Sequence, residues 1–96
     1  MALGIVETRG FTAAVDALDA MCKDAMIEVR QVVHPGGGHI TLLADGDVAA
    51  VTSAVEAGTA AAQQVGGDII CAFVIPNPHP DLQQYMRQHP EVNPNG

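Results

Sequence analysis

Hydrophobic residues along this chain switch period repeatedly, from two to 3.6 and back, and the order of the switches leaves few architectures open. Ala2 to Glu7 reads as a short apolar strand, and Gly4 within it points to close backbone approach or a bulge. Phe11, Ala14, Val15, Leu18, Cys22 and Ala25 then recur at helical spacing. Asp16 and Asp19 stand early in that helix and Lys23 late, and Asp19 with Lys23 forms an i,i+4 pair worth roughly 0.2–0.5 kcal/mol. Between Met26 and Val33, the residues Ile27, Val29 and Val33 alternate with Glu28, Arg30 and Val32. Beyond HPGGGH (His34 to His39), Ile40, Leu42 and Ala44 share one face against Thr41, Leu43 and Asp45. Two half-buried strands therefore flank that loop.

Asp47 is placed to cap a second helix whose stripe runs Val48, Val51, Val55, Gly58, Ala62 and Val65, ended by Gly66 and Gly67. Its small residues let it lie close to a sheet. Ile69 to Ile75 is apolar apart from Cys71 and Ala72, as expected of a strand covered on both faces or in mid-sheet. Pro76, Pro78 and Pro80 stop it, Asp81, Leu82, Tyr85 and Met86 suit one or two helical turns, and HPEVNPNG reads as a loose tail. The order β-α-β-β-α-β implies an α+β sandwich of ferredoxin-like type, with two helices on one face of an antiparallel sheet and a short C-terminal helix.

At 96 residues the chain is expected to be one domain, with its core over about 2–82 and a tail over about 83–96. Apolar residues make up 48% but only three are aromatic, so the core is built from small and branched side chains. Mean hydropathy is +0.19, a surplus for a domain too small to hide it all, and part of it is expected in an interface. A net charge of −7 with four basic residues lacks the clustered Lys and Arg of a nucleic-acid or anionic-membrane partner. With no leader-like start and no long apolar run, the expected location is the cytosol. Cys22 and Cys71 sit in apolar patterns and read as small buried hydrophobes.

HPGGGH by itself admits several readings. It suits a flexible hairpin connection with two exposed histidines. A metal site needs three or four ligands; His79 and His89 fall in a proline-rich tail and no cysteine lies at ligand spacing, so no metal or cofactor is expected. A phosphate cradle feeds a helix N-terminus, whereas this loop feeds a strand. Lys23 alone is a solvated helix charge. Ser53 has no base suggested beside it, and Glu7, Asp47 and Glu56 are scattered over capping and surface positions, so no catalytic residues are assigned.

The stretches ALGIVETRGF, DAMCKDAMIEV, GGGHITLLADGDVAAV, EAGTAAAQQVG and VIPNPHPD, in this order over residues 2 to about 82, resemble the single-domain hexameric shell proteins of bacterial microcompartments (the BMC-H family). The resemblance implies a non-enzymatic cyclic homohexamer. Such tiles join neighbouring hexamers and other shell proteins around encapsulated enzymes, in a cytoplasmic shell. It places the loop between the second and third strands at the sixfold axis, with Pro35, Gly36, Gly37 and Gly38 lining a pore for small polar metabolites and His34 and His39 at its mouths. Backbone amides around such an opening favour small anions and polar solutes, and histidine rings bias anion passage at mildly acidic pH.

The resemblance also puts Lys23 at the tile edge, donating to carbonyls of an adjacent hexamer, together with Asn77, Pro78 and His79. Three positions depart from the family's frequent pattern. Gly37 replaces a small hydroxyl residue, Asn77 an arginine and Asp45 an arginine; the first implies a wider, barer constriction and the second a weaker edge. The rival reading is a small ferredoxin-like regulator binding an anionic metabolite or metal at the glycine loop.

Overall fold

A computed structural model describes residues 1–24 and 26–88, with side chains described up to Gln84. Its elements are β1 (Ala2–Arg9), α1 (Phe11–Cys22), β2 (Ile27–Gly36), β3 (His39–Gly46), α2 (Val48–Gln64), β4 (Asp68–Ile75) and α3 (Pro80–Gln88). The four strands form one antiparallel sheet in the order β2-β3-β1-β4. This is the α+β, ferredoxin-like arrangement that the period switches imply. The positions 89–96, including His89 and the HPEVNPNG tail, and Ala25 lie outside the described residues.

Alternation along β1 sends Ala2, Gly4, Val6 and Thr8 toward the helices, and all four are buried. Both α1 and α2 pack on this face and against each other. Contact is close because small residues line it. A Cβ on Gly4 would stand 2.7 Å from Val51 Cγ1 and 2.8 Å from Val55 Cγ2, so only glycine lets α2 lie flush on the central strand.

The buried face of α1 differs from the expected stripe. Ala13, Ala14, Ala17 and Met21 are buried, while Phe11 is 70% and Val15 43% exposed and Cys22 is exposed too. The period is helical as expected, but the stripe is rotated by about one residue. The cause is clearance: Met21 packs on Gly58 of α2, a separation that alanines fill and that a phenylalanine would force open. Cys71, on β4, is half-buried, so neither cysteine is the fully buried hydrophobe expected. The first turn of α1 carries no acid, and Gly10 at its N-cap supplies no side-chain acceptor; Asp16 and Asp19 stand deeper in the helix.

In β2, register slips between Val29 and Gln31 against Ala44 and Leu43, leaving Arg30 as an extra residue in a bulge. Bulges re-aim side chains. Val32, opposite Leu42, consequently packs on the core, in the place expected for Val33. A second slip lies between Val33 and Gly36, where Pro35, which has no N–H to give a ladder, is tolerated.

Asp47 caps α2 as expected, accepting from Ala49 N at 3.2 Å. Val51, Ala54, Val55, Gly58 and Ala62 are buried along that helix, while Val48 and Val65 at its ends are exposed. The expectation for β4 is overturned: it is an edge strand, and Ile70 and Phe73 on it are exposed. Ile69 and Val74 pack against the core under α2, while the exposed Ile70 and Phe73 have no covering layer among the described residues. α3 starts at Pro80, whose fixed φ suits the first helical position, and His79 Nδ1 accepts from Asp81 N at 3.0 Å as its cap. No helix among the described residues is long and apolar enough to cross a membrane.

Candidate functional site

The β2–β3 hairpin closes between the facing residues Gly36 and His39, so Gly37 and Gly38 form a two-residue connection. Their φ angles are +63° and +77°. Two successive positive φ values are what a hairpin turn matched to strand twist requires, and glycine supplies them without steric cost. Gly36 is positive as well, at +116°, and a Cβ on any of the three would meet nothing within 4 Å. The turn thus stands clear of the rest of the chain. One tether holds its base: Gly10 N donates to Gly38 O at 2.8 Å, fixing the turn beside the start of α1 and the exposed Phe11. Gly10 O in turn accepts from Ala14 N and from Thr8 Oγ1, both at 3.4 Å.

The two histidines are half-buried rather than free. His39 faces Arg9 across the β1–β3 pair, and its Nδ1 lies 3.3 Å from Glu7 Oε2. Thr41 Oγ1 donates to Glu7 Oε1 at 2.9 Å. These three side chains form a polar cluster on the sheet face away from the helices, directly behind the turn. His34 Nδ1 is buried without a hydrogen-bond partner among the described residues. Sequence reading missed Glu7 in this role; its signal was the alternation that puts Glu7, Arg9, His39 and Thr41 on one face of adjacent strands.

Asp45, flagged as an acid where arginine is frequent, is only 8% exposed and is balanced from within. Arg30 Nε donates to Asp45 Oδ2 at 2.6 Å, and Nη1 lies 2.9 Å from Glu28 Oε2. The hydrogen bond to Asp45 raises the Arg30 guanidinium above its ordinary range, ahead of the opposing effect of desolvation. This pairing depends on the bulge at Arg30, which no residue pattern announced.

Lys23 projects at the end of α1, with Nζ 3.0 Å from Asp19 Oδ2, the i,i+4 pair expected. It borders an open groove between α1 and α2 lined also by Ala20, Asp24, Ser53, Ala54 and Ala57. Asn77 and His79 are exposed and Pro78 is buried, its carbonyl accepting from Gln83 Nε2 at 3.1 Å. His79 Nδ1 also lies 3.7 Å from Asp81 Oδ2. The shorter contact, from the Asp81 amide, makes that nitrogen the acceptor that caps α3. No hydrogen bond or ion pair among the described residues joins Lys23 to the 77–79 segment. Nor does any group of three or more His, Cys, Asp or Glu among them sit where it could hold a metal ion.

An exposed glycine turn, a projecting lysine and a proline-bounded loop form no reaction centre, and the comparisons agree. The BMC domain family matches residues 2–78, which takes in the turn, Lys23 and Pro78 together. The chain belongs to the BMC-domain family. It is 47% identical over 83 residues to the bacterial microcompartment shell protein EutM of Salmonella typhimurium, covering 86% of this chain and 85% of that protein. It is 45% identical over 85 residues to the shell protein PduA of Citrobacter freundii, covering 88% and 90%. A crystal structure of a microcompartments protein from Desulfitobacterium hafniense superposes with a TM-score of 0.76 at 34% identity, covering 86% of this chain. This chain spans about half of that one, 47% of its length. Members of the family are structural shell proteins, and the role of this chain is structural, not enzymatic. None of these relationships favours the ligand-binding regulator.

Proposed function

We propose that six copies of this chain close into a flat ring and that such rings tile the shell of a bacterial microcompartment in the cytoplasm. The whole chain acts as one shell domain, its core over about 2–82 and its tail beyond. The observation that carries this reading is the unobstructed triple-glycine turn with apolar surface beside it. Ring closure brings six turns to the axis, where Pro35, Gly36, Gly37 and Gly38 line an opening for small polar metabolites and His34 and His39 stand at its mouths. The exposed Phe11 beside the turn, and Ile70 and Phe73 on the uncovered edge strand, are the kind of surface an obligate interface buries.

Lys23, Asn77, Pro78 and His79 form the rim, where one tile meets neighbouring hexamers and companion shell proteins, with the encapsulated enzymes behind them. Asn77 offers a short neutral side chain there, so Lys23 is the principal donor across an edge.

Size-exclusion chromatography with light scattering tests the ring directly. The expected species is a hexamer of about 59 kDa, six chains of 9.9 kDa. Monomers or dimers alone, over a wide concentration range, would remove both the opening and the shell built from it.

A further inference from the structure

Backbone amides at a glycine turn attract anions, yet behind this turn on the outer sheet face, one cross-strand pair beyond His39 and Arg9, a carboxylate is held by two contacts. We propose that Glu7, held by Thr41 and His39, sets the charge selectivity of the opening, favouring cations and neutral polar solutes over anions at neutral pH. The inference rests on the reading of the turn as a pore lining and assigns the class of solute that passes.

Three observations carry it. Glu7 is fixed at both oxygens, Oε1 by Thr41 Oγ1 at 2.9 Å and Oε2 by His39 Nδ1 at 3.3 Å, so its charge is held in place. It sits behind the turn, because His39 directly follows Gly38 and faces Arg9, two residues along β1 from Glu7. The remaining charges at this end of the sheet do not cancel it. Arg9 on β1 faces Asp68 on β4, one cation against one anion, while Cys71 on β4, opposite Glu7, and His34 on β2 add no negative charge. With both histidines neutral, each chain therefore presents one net negative charge here, from Glu7. Around a narrow opening with low-dielectric walls, like charges focus their field and raise the local concentration of counter-ions.

Purified hexamers in planar lipid bilayers under a KCl gradient give the K⁺/Cl⁻ permeability ratio from the reversal potential. The wild type at pH 8 is expected to prefer K⁺, Glu7→Gln to lower the ratio severalfold, and Glu7→Asp to retain most of it. Hexamer mass by light scattering checks that each variant is assembled. Gly37→Leu, which narrows the turn itself, separates the two readings. If it abolishes conductance while Glu7→Gln leaves the ratio unchanged, Glu7 is not the selectivity residue and the pore stands. If Gly37→Leu leaves conductance untouched, the pore reading fails and this inference with it.

Discussion

Replacing Lys23 by alanine separates folding from assembly, because its ion pair within the chain is exposed whereas the proposed tile edge relies on it as donor. Among the described residues its one ion pair is with Asp19 at 3.0 Å, and the two side chains are 75% and 65% exposed. Exposed i,i+4 pairs contribute about 0.3–0.5 kcal/mol. For a domain of this size each kcal/mol moves Tm by about 4–8 °C, so the loss amounts to about 2–4 °C at most. Across a tile edge the accounting changes. A charged donor to a carbonyl is worth about 1.5–3 kcal/mol, and twofold symmetry at an edge doubles it to about 3–6. Each tile has several edges, so the concentration needed for sheet growth rises by more than an order of magnitude. Calorimetry and light scattering on Lys23→Ala should show near wild-type Tm and an intact hexamer, while negative-stain images show no sheets at concentrations where the wild type forms them. Sheets at wild-type concentration would remove Lys23 from the edge. Dissociated hexamers would place it in the ring interface and refute the reasoning from the other side.

Two further substitutions probe the interior and the turn. Gly4→Ala drives a methyl into Val51 and Val55, whose branched side chains are stiff at χ1; overpacking of this kind costs about 1–3 kcal/mol, expected as a lower Tm that Val55→Ala in the same chain partly restores. An unchanged Tm for Gly4→Ala would mean that α2 does not lie flush on β1. Gly37→Ser adds a hydroxyl at φ +63°, where a side chain has free space but costs about 1–2 kcal/mol of backbone strain. Flux of a neutral polar solute through assembled tiles should change in that variant and fall further in Gly37→Leu; equal flux in all three proteins would count against the turn as the constriction.

The element order was legible because periods of two and 3.6 are set by backbone geometry, and the bulges in β2 changed which residues face the core without changing the order of elements. The capping of α2 by Asp47 and the Asp19–Lys23 pair are local contacts, so they could be read from spacing alone. What the pattern misplaced depends on neighbours far away in sequence. The stripe on α1 was read through its largest residues, but the space beneath that helix is set by Gly58 on α2 and admits Ala13, Ala14 and Ala17 instead of Phe11 and Val15. Val32 and Val33 exchanged faces because one extra residue at Arg30 shifts the alternation by one. The apolar run of β4 was taken for a covered strand, whereas strand order alone puts it at an edge. The glycine turn stood out in the sequence; the carboxylate behind it did not, since Glu7 and His39 meet only once β1 and β3 are paired.

These misplacements share a direction, and it bears on the proposed tile. A sandwich closed largely by alanines and glycines is thin, with Met21 and Leu42 the largest side chains fully buried in it. Several other large apolar residues are left at the periphery: Phe11 and Val15 on α1, Ile70 and Phe73 on β4. An isolated domain would gain from the reverse arrangement, since burial of a large side chain contributes more than burial of alanine. The observed distribution favours a chain whose strongest hydrophobic contacts form between copies. Charge limits how those copies then meet. At −7 per chain, with Lys23 and Arg30 already paired to acids, the proposed ring would be strongly anionic and its like edges would repel. Ring closure can draw on apolar surface near the turn and β4, but edge joining has to rely on short-range donors such as Lys23 to neutral backbone carbonyls. Screening by salt should therefore promote the joining of tiles more than the closing of rings.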